Sequence, residues 1–202
     1  MSALREPEMR RCLLLAVLAV PTVAFSQEPA AQLRYDYVSA NLAVPDVHEI
    51  GYALDGSTTV ADRLIVFGHY YSFEPRNDID YQSFQIGVGR IWHVRRNLDF
   101  VGSLAYADNE IDTPARRGVG HEGLILGGAL RGWLTRRIEL SGAAMLNDSR
   151  GSGTDTVFEV GMQYVTNDRL SYGGRIQADE DDNTVFVGLR FYFGASRRPV
   201  GR

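Results

Sequence analysis

The stretch TVFVGLRFYF, residues 184–193, decides the fold. Val185, Val187, Leu189, Phe191 and Phe193 fall on one face, and Gly188, Arg190 and Tyr192 on the other. A period of two sustained over nine residues is the signature of a strand with two unlike faces. Working upstream, the same alternation returns. Phe158, Val160, Met162 and Tyr164 oppose Glu159, Gly161 and Gln163, and Leu170, Tyr172 and Ile176 oppose Ser171, Gly173, Arg175 and Gln177. Leu124, Leu126 and Leu130 oppose Gly127, Ala129 and Arg131; Leu98, Phe100 and Leu104 oppose Asp99, Val101 and Ser103; Ile50, Tyr52 and Leu54 oppose Gly51, Ala53 and Asp55.

The pattern predicts ten strands, near 32–42, 49–60, 64–74, 81–93, 98–108, 121–134, 138–147, 155–165, 170–178 and 184–193. Most have the ~9–11 residues that a tilted strand needs to cross a bilayer. An even count lets an antiparallel up-and-down meander close without a free edge, which lipid cannot solvate. The expected fold is therefore all-β, a ten-stranded transmembrane barrel; an eight-stranded one is the alternative. Strands 1 and 3 carry the weakest pattern. In LIVFGHYYSF (64–73) both faces are apolar or aromatic, so its facing stays open. The connections alternate in length. Residues 61–63, 94–97, 135–137 and 166–169 are tight, and 109–120, NEIDTPARRGVG, is the longest of the others. Short turns belong on the periplasmic side of such barrels and long loops outside, which puts both chain ends in the periplasm.

A soluble lipocalin-like barrel or sandwich would show the same period with the apolar face turned inward. The polar face separates the two. It is rich in Gly, Ala and Ser and carries isolated charges of both signs: Arg34, Asp36, Asp55, Asp99, Arg131, Glu139, Glu159, Arg175 and Arg190. A solvated surface holds more long charged side chains, whereas a narrow lumen favours small residues and paired charges. An unpaired charge in such a lumen costs several kcal/mol. Glu139 or Glu159 is thus expected to contact Arg131, Arg175 or Arg190 inside the barrel. A ten-stranded lumen is little wider than the eight-stranded size that side chains fill, so at most a narrow pore is expected.

The N-terminus reads as a secretion signal over residues 1–26. Arg10 and Arg11 precede the apolar run CLLLAVLAVPTVAF, and Ala24 and Ser26 are small residues at the cleavage positions. The run is too short for a membrane-spanning helix of about 20 residues. Translation from Met9 would give the cleaner signal. The barrel then occupies 27–193 and a periplasmic tail 194–202. The single cysteine, Cys12, leaves with the signal, so disulfides and thiol chemistry are excluded from the mature chain. Of the 21 basic residues, all Arg, 18 remain against 23 acids, a net charge of −5 that argues against nucleic acid as a partner.

LRYDYVSANLAV (33–44), GYALDGSTTVADRLIVFGHY (51–70), FQIGVGRIWHV (84–94) and TVFVGLRFYF resemble a xanthomonad-type family of small outer-membrane β-barrel proteins, porin-like and OmpA/OmpX-like. The resemblance covers 33–193 and implies an outer-membrane location. The last strand is similar to the signal read by the barrel-assembly machinery, with Gly188, Phe191 and Phe193 in its spacing. It departs in having Phe186 at a usually polar position and nine residues after Phe193.

Chemistry is sparse. Outer-membrane hydrolases need a nucleophile or paired acids beside a His on the outer rim. His48 and His121 flank outer loops next to Glu49 and Glu122, His69 lies mid-strand and His93 at a periplasmic end. No protease or acylase motif accompanies them, and no catalytic residue or organic cofactor is assigned. Asp179, Glu180, Asp181 and Asp182 are four hard-oxygen groups in one loop, suited to loosely bound Ca²⁺ or Mg²⁺. Asp46, Glu74, Asp78, Asp80, Asp108, Glu110 and Asp112 share that end, with the pair Arg116-Arg117, so contact with outer-membrane lipid and lipopolysaccharide is expected. The Arg pairs at 95–96, 136–137 and 197–198 fall at the other end. The sequence favours a non-enzymatic envelope barrel or narrow pore, ahead of a loop-borne adhesin and, last, a hydrolase.

Overall fold

In the computed structural model, residues 32–46, 50–73, 80–113, 116–149, 153–180 and 183–194 are described. They form ten strands: β1 Tyr37–Pro45, β2 Gly51–Ala61, β3 Leu64–Phe73, β4 Asp80–Arg95, β5 Leu98–Thr113, β6 Arg116–Trp133, β7 Ile138–Ser149, β8 Gly153–Asn167, β9 Leu170–Ala178 and β10 Asn183–Tyr192. Each pairs antiparallel with its sequence neighbours, and β1 pairs with β10 (Tyr37 opposite Tyr192) to close the barrel. Closure satisfies every strand edge internally, the condition lipid imposes. At that seam Gly188 meets Ala40 and Asn41 so tightly that an added Cβ would overlap the Ala40 carbonyl oxygen.

The apolar face points out. Val187 is 58 % exposed and Leu189 56 %, whereas Asp55 is 5 % and Glu139 2 %. A soluble fold would bury the first pair and hydrate the second, so the barrel is inside-out, of the porin-like membrane type. The two faces of β3 resolve as Ile65, Phe67, His69, Tyr71 and Phe73 inward, with Val66 and Tyr70 outward; the aromatic side chains of this strand fill lumen space that small residues leave elsewhere.

The four tight turns share one end of the barrel, here the turn end, with both ends of the strand array; the other connections share the loop end. Asp62-Arg63, Arg96-Asn97 and Asp168-Arg169 are two-residue turns, Arg63 adopting φ +62°. At the loop end the expectation of a long 109–120 loop is corrected. β5 runs to Thr113 and β6 starts at Arg116, so the segment is a continuing hairpin whose strands are 16 and 18 residues long. Ladder hydrogen bonding between the two arms extends past the point where β7 stops pairing, at Gly123 opposite Ser149.

The first strand also starts later than expected, at Tyr37. Val38 and Leu42 face out, so even-numbered positions are outward, and Arg34 and Asp36 fall on that parity instead of in the lumen. Leu33 and Tyr35 turn inward and pack with Ile65, Ile91, Val101 and Trp133. Arg34 caps the turn end by donating to the carbonyls of Asp168 and Phe193, the latter at 3.1 Å. Asp36 accepts from Thr59 N at 2.7 Å and Thr58 Oγ at 3.1 Å. The expected signal peptide over 1–26, residues 195–202 with the Arg197-Arg198 pair, His48, Glu49, Glu74, Asp78, Asp181 and Asp182 lie outside the described residues.

Candidate functional site: the lumen

Inward charges gather in two layers. In the upper layer Asp55 on β2 is the hub. Arg175, from β9 on the other side of the β1–β10 seam, donates Nη1 to Oδ2 at 2.9 Å and Nη2 to Oδ1 at 3.0 Å. Ser39 Oγ (2.9 Å) and Asn41 Nδ2 (2.7 Å) also donate to Oδ2, and His69 Nδ1 lies 2.7 Å from Oδ1. The carboxylate thus has five polar contacts from four side chains, which makes a buried charge tolerable. Arg175 Nε stands 3.2 Å from Glu159, and its guanidinium lies over the Phe186 ring at 4.2 Å. Phe186, the residue at odds with the assembly-signal pattern, is an inward core residue against Ala43, Ala53, Tyr71 and Phe73. Phe191 and Phe193 face outward.

The lower layer lies toward the turn end. Arg131 on β6 donates Nε (2.9 Å) and Nη2 (2.7 Å) to Glu139 Oε1 on β7, and Arg190 Nη1 approaches the same oxygen at 3.6 Å. Glu139 and Glu159 therefore each contact an inward arginine, and Arg131, Arg175 and Arg190 all point into the barrel. Arg190 covers the Tyr37 ring at 4.2 Å.

Beneath this layer sits an arrangement the sequence reading missed. Tyr35, in the segment that enters β1, crosses the barrel mouth to the opposite wall, where its hydroxyl donates to Asp99 Oδ2 at 2.9 Å. The Arg131 guanidinium lies 4.5 Å over the Tyr35 ring and donates to the Arg34 carbonyl at 3.2 Å. His93 Nδ1 holds the other Asp99 oxygen at 2.7 Å. Burial above all, against the pull of Arg131 and with Asp99 beside it, pushes the Tyr35 phenol well above the ordinary tyrosine range. The available signal was the parity of Val38 and Leu42, which already turns Leu33 and Tyr35 inward.

Above Tyr35 the lumen holds a cavity of about 590 Å³. Its lining runs from Tyr35, Tyr37, Arg131 and Arg190 at the floor to Asn109, His121, Asn147, Asp155 and Asp179 at the loop end. One wall is aromatic (Phe67, Tyr71, Phe73, Tyr81) and the facing wall small (Gly127, Ala129, Ser141, Ala143); that mismatch in side-chain size creates the space. His121 faces this cavity while its neighbour Glu122 is exposed outward, as strand alternation requires. Asp179 and Glu180 are exposed at the rim, and no group of three or more metal-ligating side chains occurs among the described residues.

No family model matches the chain, and no curated protein matches it. Among solved structures it is similar to the KdgM porin, with 10 % identity over 78 % of this chain and 99 % of that one and a TM-score of 0.48. It is also similar to the translocator domain of the autotransporter NalP from Neisseria meningitidis (9 %, 93 % and 96 %, TM-score 0.46) and to Ail, the attachment invasion locus protein of Yersinia pestis (11 %, 80 % and 100 %, TM-score 0.33).

Proposed function

We propose that this chain is a non-enzymatic β-barrel of the bacterial outer membrane, with its turn end in the periplasm and its lumen stoppered there by residues 32–36. The reading is of an envelope protein whose path for solutes is at most narrow. The observation that carries it is the seating of Tyr35, hydrogen-bonded to Asp99 and covered by Arg131, within the apolar cluster it forms with Leu33, Ile91 and Trp133. The inside-out distribution of apolar and charged residues supports the membrane location, and the residue 1–26 signal supports export. The test is single-channel recording in planar bilayers. The wild type is expected to give small or no steps, and a Leu33→Ala, Tyr35→Ala variant larger ones; large stable steps from the wild type would sink the stopper. A heat-modifiable gel band, folded against boiled, checks the barrel itself.

A second reading, surface recognition, is favoured by the β5–β6 hairpin, where residues 116–122 of β6 continue beyond the β7 ladder. Seven residues of strand reach ~23 Å, enough to present a binding edge. Deleting 110–118 should leave the barrel folded and abolish cell or phage attachment; unchanged attachment would end this reading.

A further inference from the structure

Among the residues whose side chains are described, charge is polarised along the barrel axis; Arg116 and Arg117 begin β6 at the loop end. Arg63, Arg95, Arg96, Arg136, Arg137 and Arg169 are all exposed at the turn end, offset there by Asp62 and Asp168. The opposite rim exposes Asp46, Asp108, Glu110, Glu122 and Asp148. Just above the turns, two outward aromatic pairs occupy equivalent places in their hairpins. Trp92 stands opposite Phe100 with ring centres 5.6 Å apart, and Tyr164 opposite Tyr172 at 5.3 Å. Trp92 and Tyr164 each lie three residues before the end of their strand, and Phe100 and Tyr172 two after the start of theirs. Such rings mark the level where hydrocarbon gives way to headgroups.

Each pair holds an arginine. The Arg90 guanidinium lies 5.7 Å over the Trp92 ring, and Arg137 donates to the Tyr164 hydroxyl at 3.2 Å. Arg90 sits on the outward face of β4 between Val88 and Trp92, where its neighbours across the ladders are Leu64 and Gly102. A guanidinium on a lipid-facing surface is costly unless it reaches an anion or the headgroup layer. Its fork of donors matches phosphate, and the ring beneath holds it at headgroup height.

We infer that the turn-end collar, centred on Arg90 with Trp92 and Arg137 with Tyr164, is a binding surface for anionic phospholipid headgroups. The inference rests on the membrane reading above and adds a lipid selectivity to it. It also fixes orientation, because the positive end then faces the phospholipid leaflet and the acidic rim the opposite one.

The test places the full barrel in nanodiscs of equal phosphatidylglycerol and phosphatidylcholine and reads the lipids retained on release by native mass spectrometry. The wild type is expected to retain phosphatidylglycerol in preference. An Arg90→Gln, Arg137→Gln variant should lose about fivefold of that preference per arginine, with its heat-modifiable band unchanged. Equal retention of both lipids by the wild type, or an unchanged preference in the variant, overturns the inference while leaving the membrane reading intact; failure to enter nanodiscs refutes both. Should the variant not fold, salt decides on the wild type alone. At about 1 M the screening length falls to ~3 Å, so the preference should collapse, and a preference that survives also overturns the inference.

Discussion

Replacing Arg175 by Met tests whether the upper charge layer holds the barrel together. The substitution keeps an unbranched apolar stem but removes the guanidinium that lies over the Phe186 ring and makes the two hydrogen bonds to Asp55 at 2.9 and 3.0 Å. It also strips the cation from Glu159. Removing one partner of a buried pair costs ~3–5 kcal/mol because the other charge stays behind unpaired. Two features place this case at the low end. Asp55 keeps Ser39, Asn41 and His69, and Glu159 is about a quarter exposed to the cavity. The expected loss is about 3 kcal/mol, read as a lower urea midpoint for the vesicle-inserted barrel by tryptophan fluorescence, at unchanged slope. Because the charge left on Asp55 is the cause, adding Asp55→Asn to Arg175→Met should recover part of the loss. A single variant losing under about 1 kcal/mol, or a double variant whose loss equals the two single losses added together, would refute the reasoning.

Glu159→Ala should be milder, about 1 kcal/mol, since Arg175 keeps both bonds to Asp55; a loss matching that of Arg175→Met in the same assay would make Glu159 the hub instead. Gly188→Val should block closure of the β1–β10 seam, because its Cβ meets the Ala40 carbonyl oxygen, and yield no heat-modifiable band. Spontaneous refolding into vesicles separates this steric effect from loss of an assembly signal, since only the steric one persists without assembly machinery. The Tyr35 phenol favours its protonated form when seated, so the stopper is fully stabilised below the free tyrosine value of ~10 and weakens as pH rises above it. Conductance in planar bilayers should therefore rise above about pH 10 in the wild type. Tyr35→Phe lacks the titrating group, and an identical alkaline rise in it would assign the effect elsewhere.

The period-two alternation determined a great deal by itself: ten strands, a meander, and the facing of β2, β5, β6, β8, β9 and β10. It could do so because strand side chains alternate rigidly, so one charged position fixes the facing of all its neighbours. The small residues of the polar face likewise carried the inside-out reading, since a narrow lumen and a solvated surface select different side chains. Where both faces of a strand are apolar, as in β3, parity had nothing to act on, and only the ladders with β2 and β4 turned His69 inward to Asp55. The 109–120 segment read as a loop from its length and its Gly, Pro and Asp, yet pairing between its two arms, with one register shift before Thr113 opposite Arg116, keeps those arms strand, a preference set by the partner and not by local composition. The pairing of Asp55 with Arg175, 120 positions apart, exists only because closure brings β2 and β9 to either side of the seam. Tyr35 reaches Asp99 and Arg131 for the same reason: in a ring of ten strands, β1 stands opposite β6, and the chain entering β1 can lie across the mouth between them.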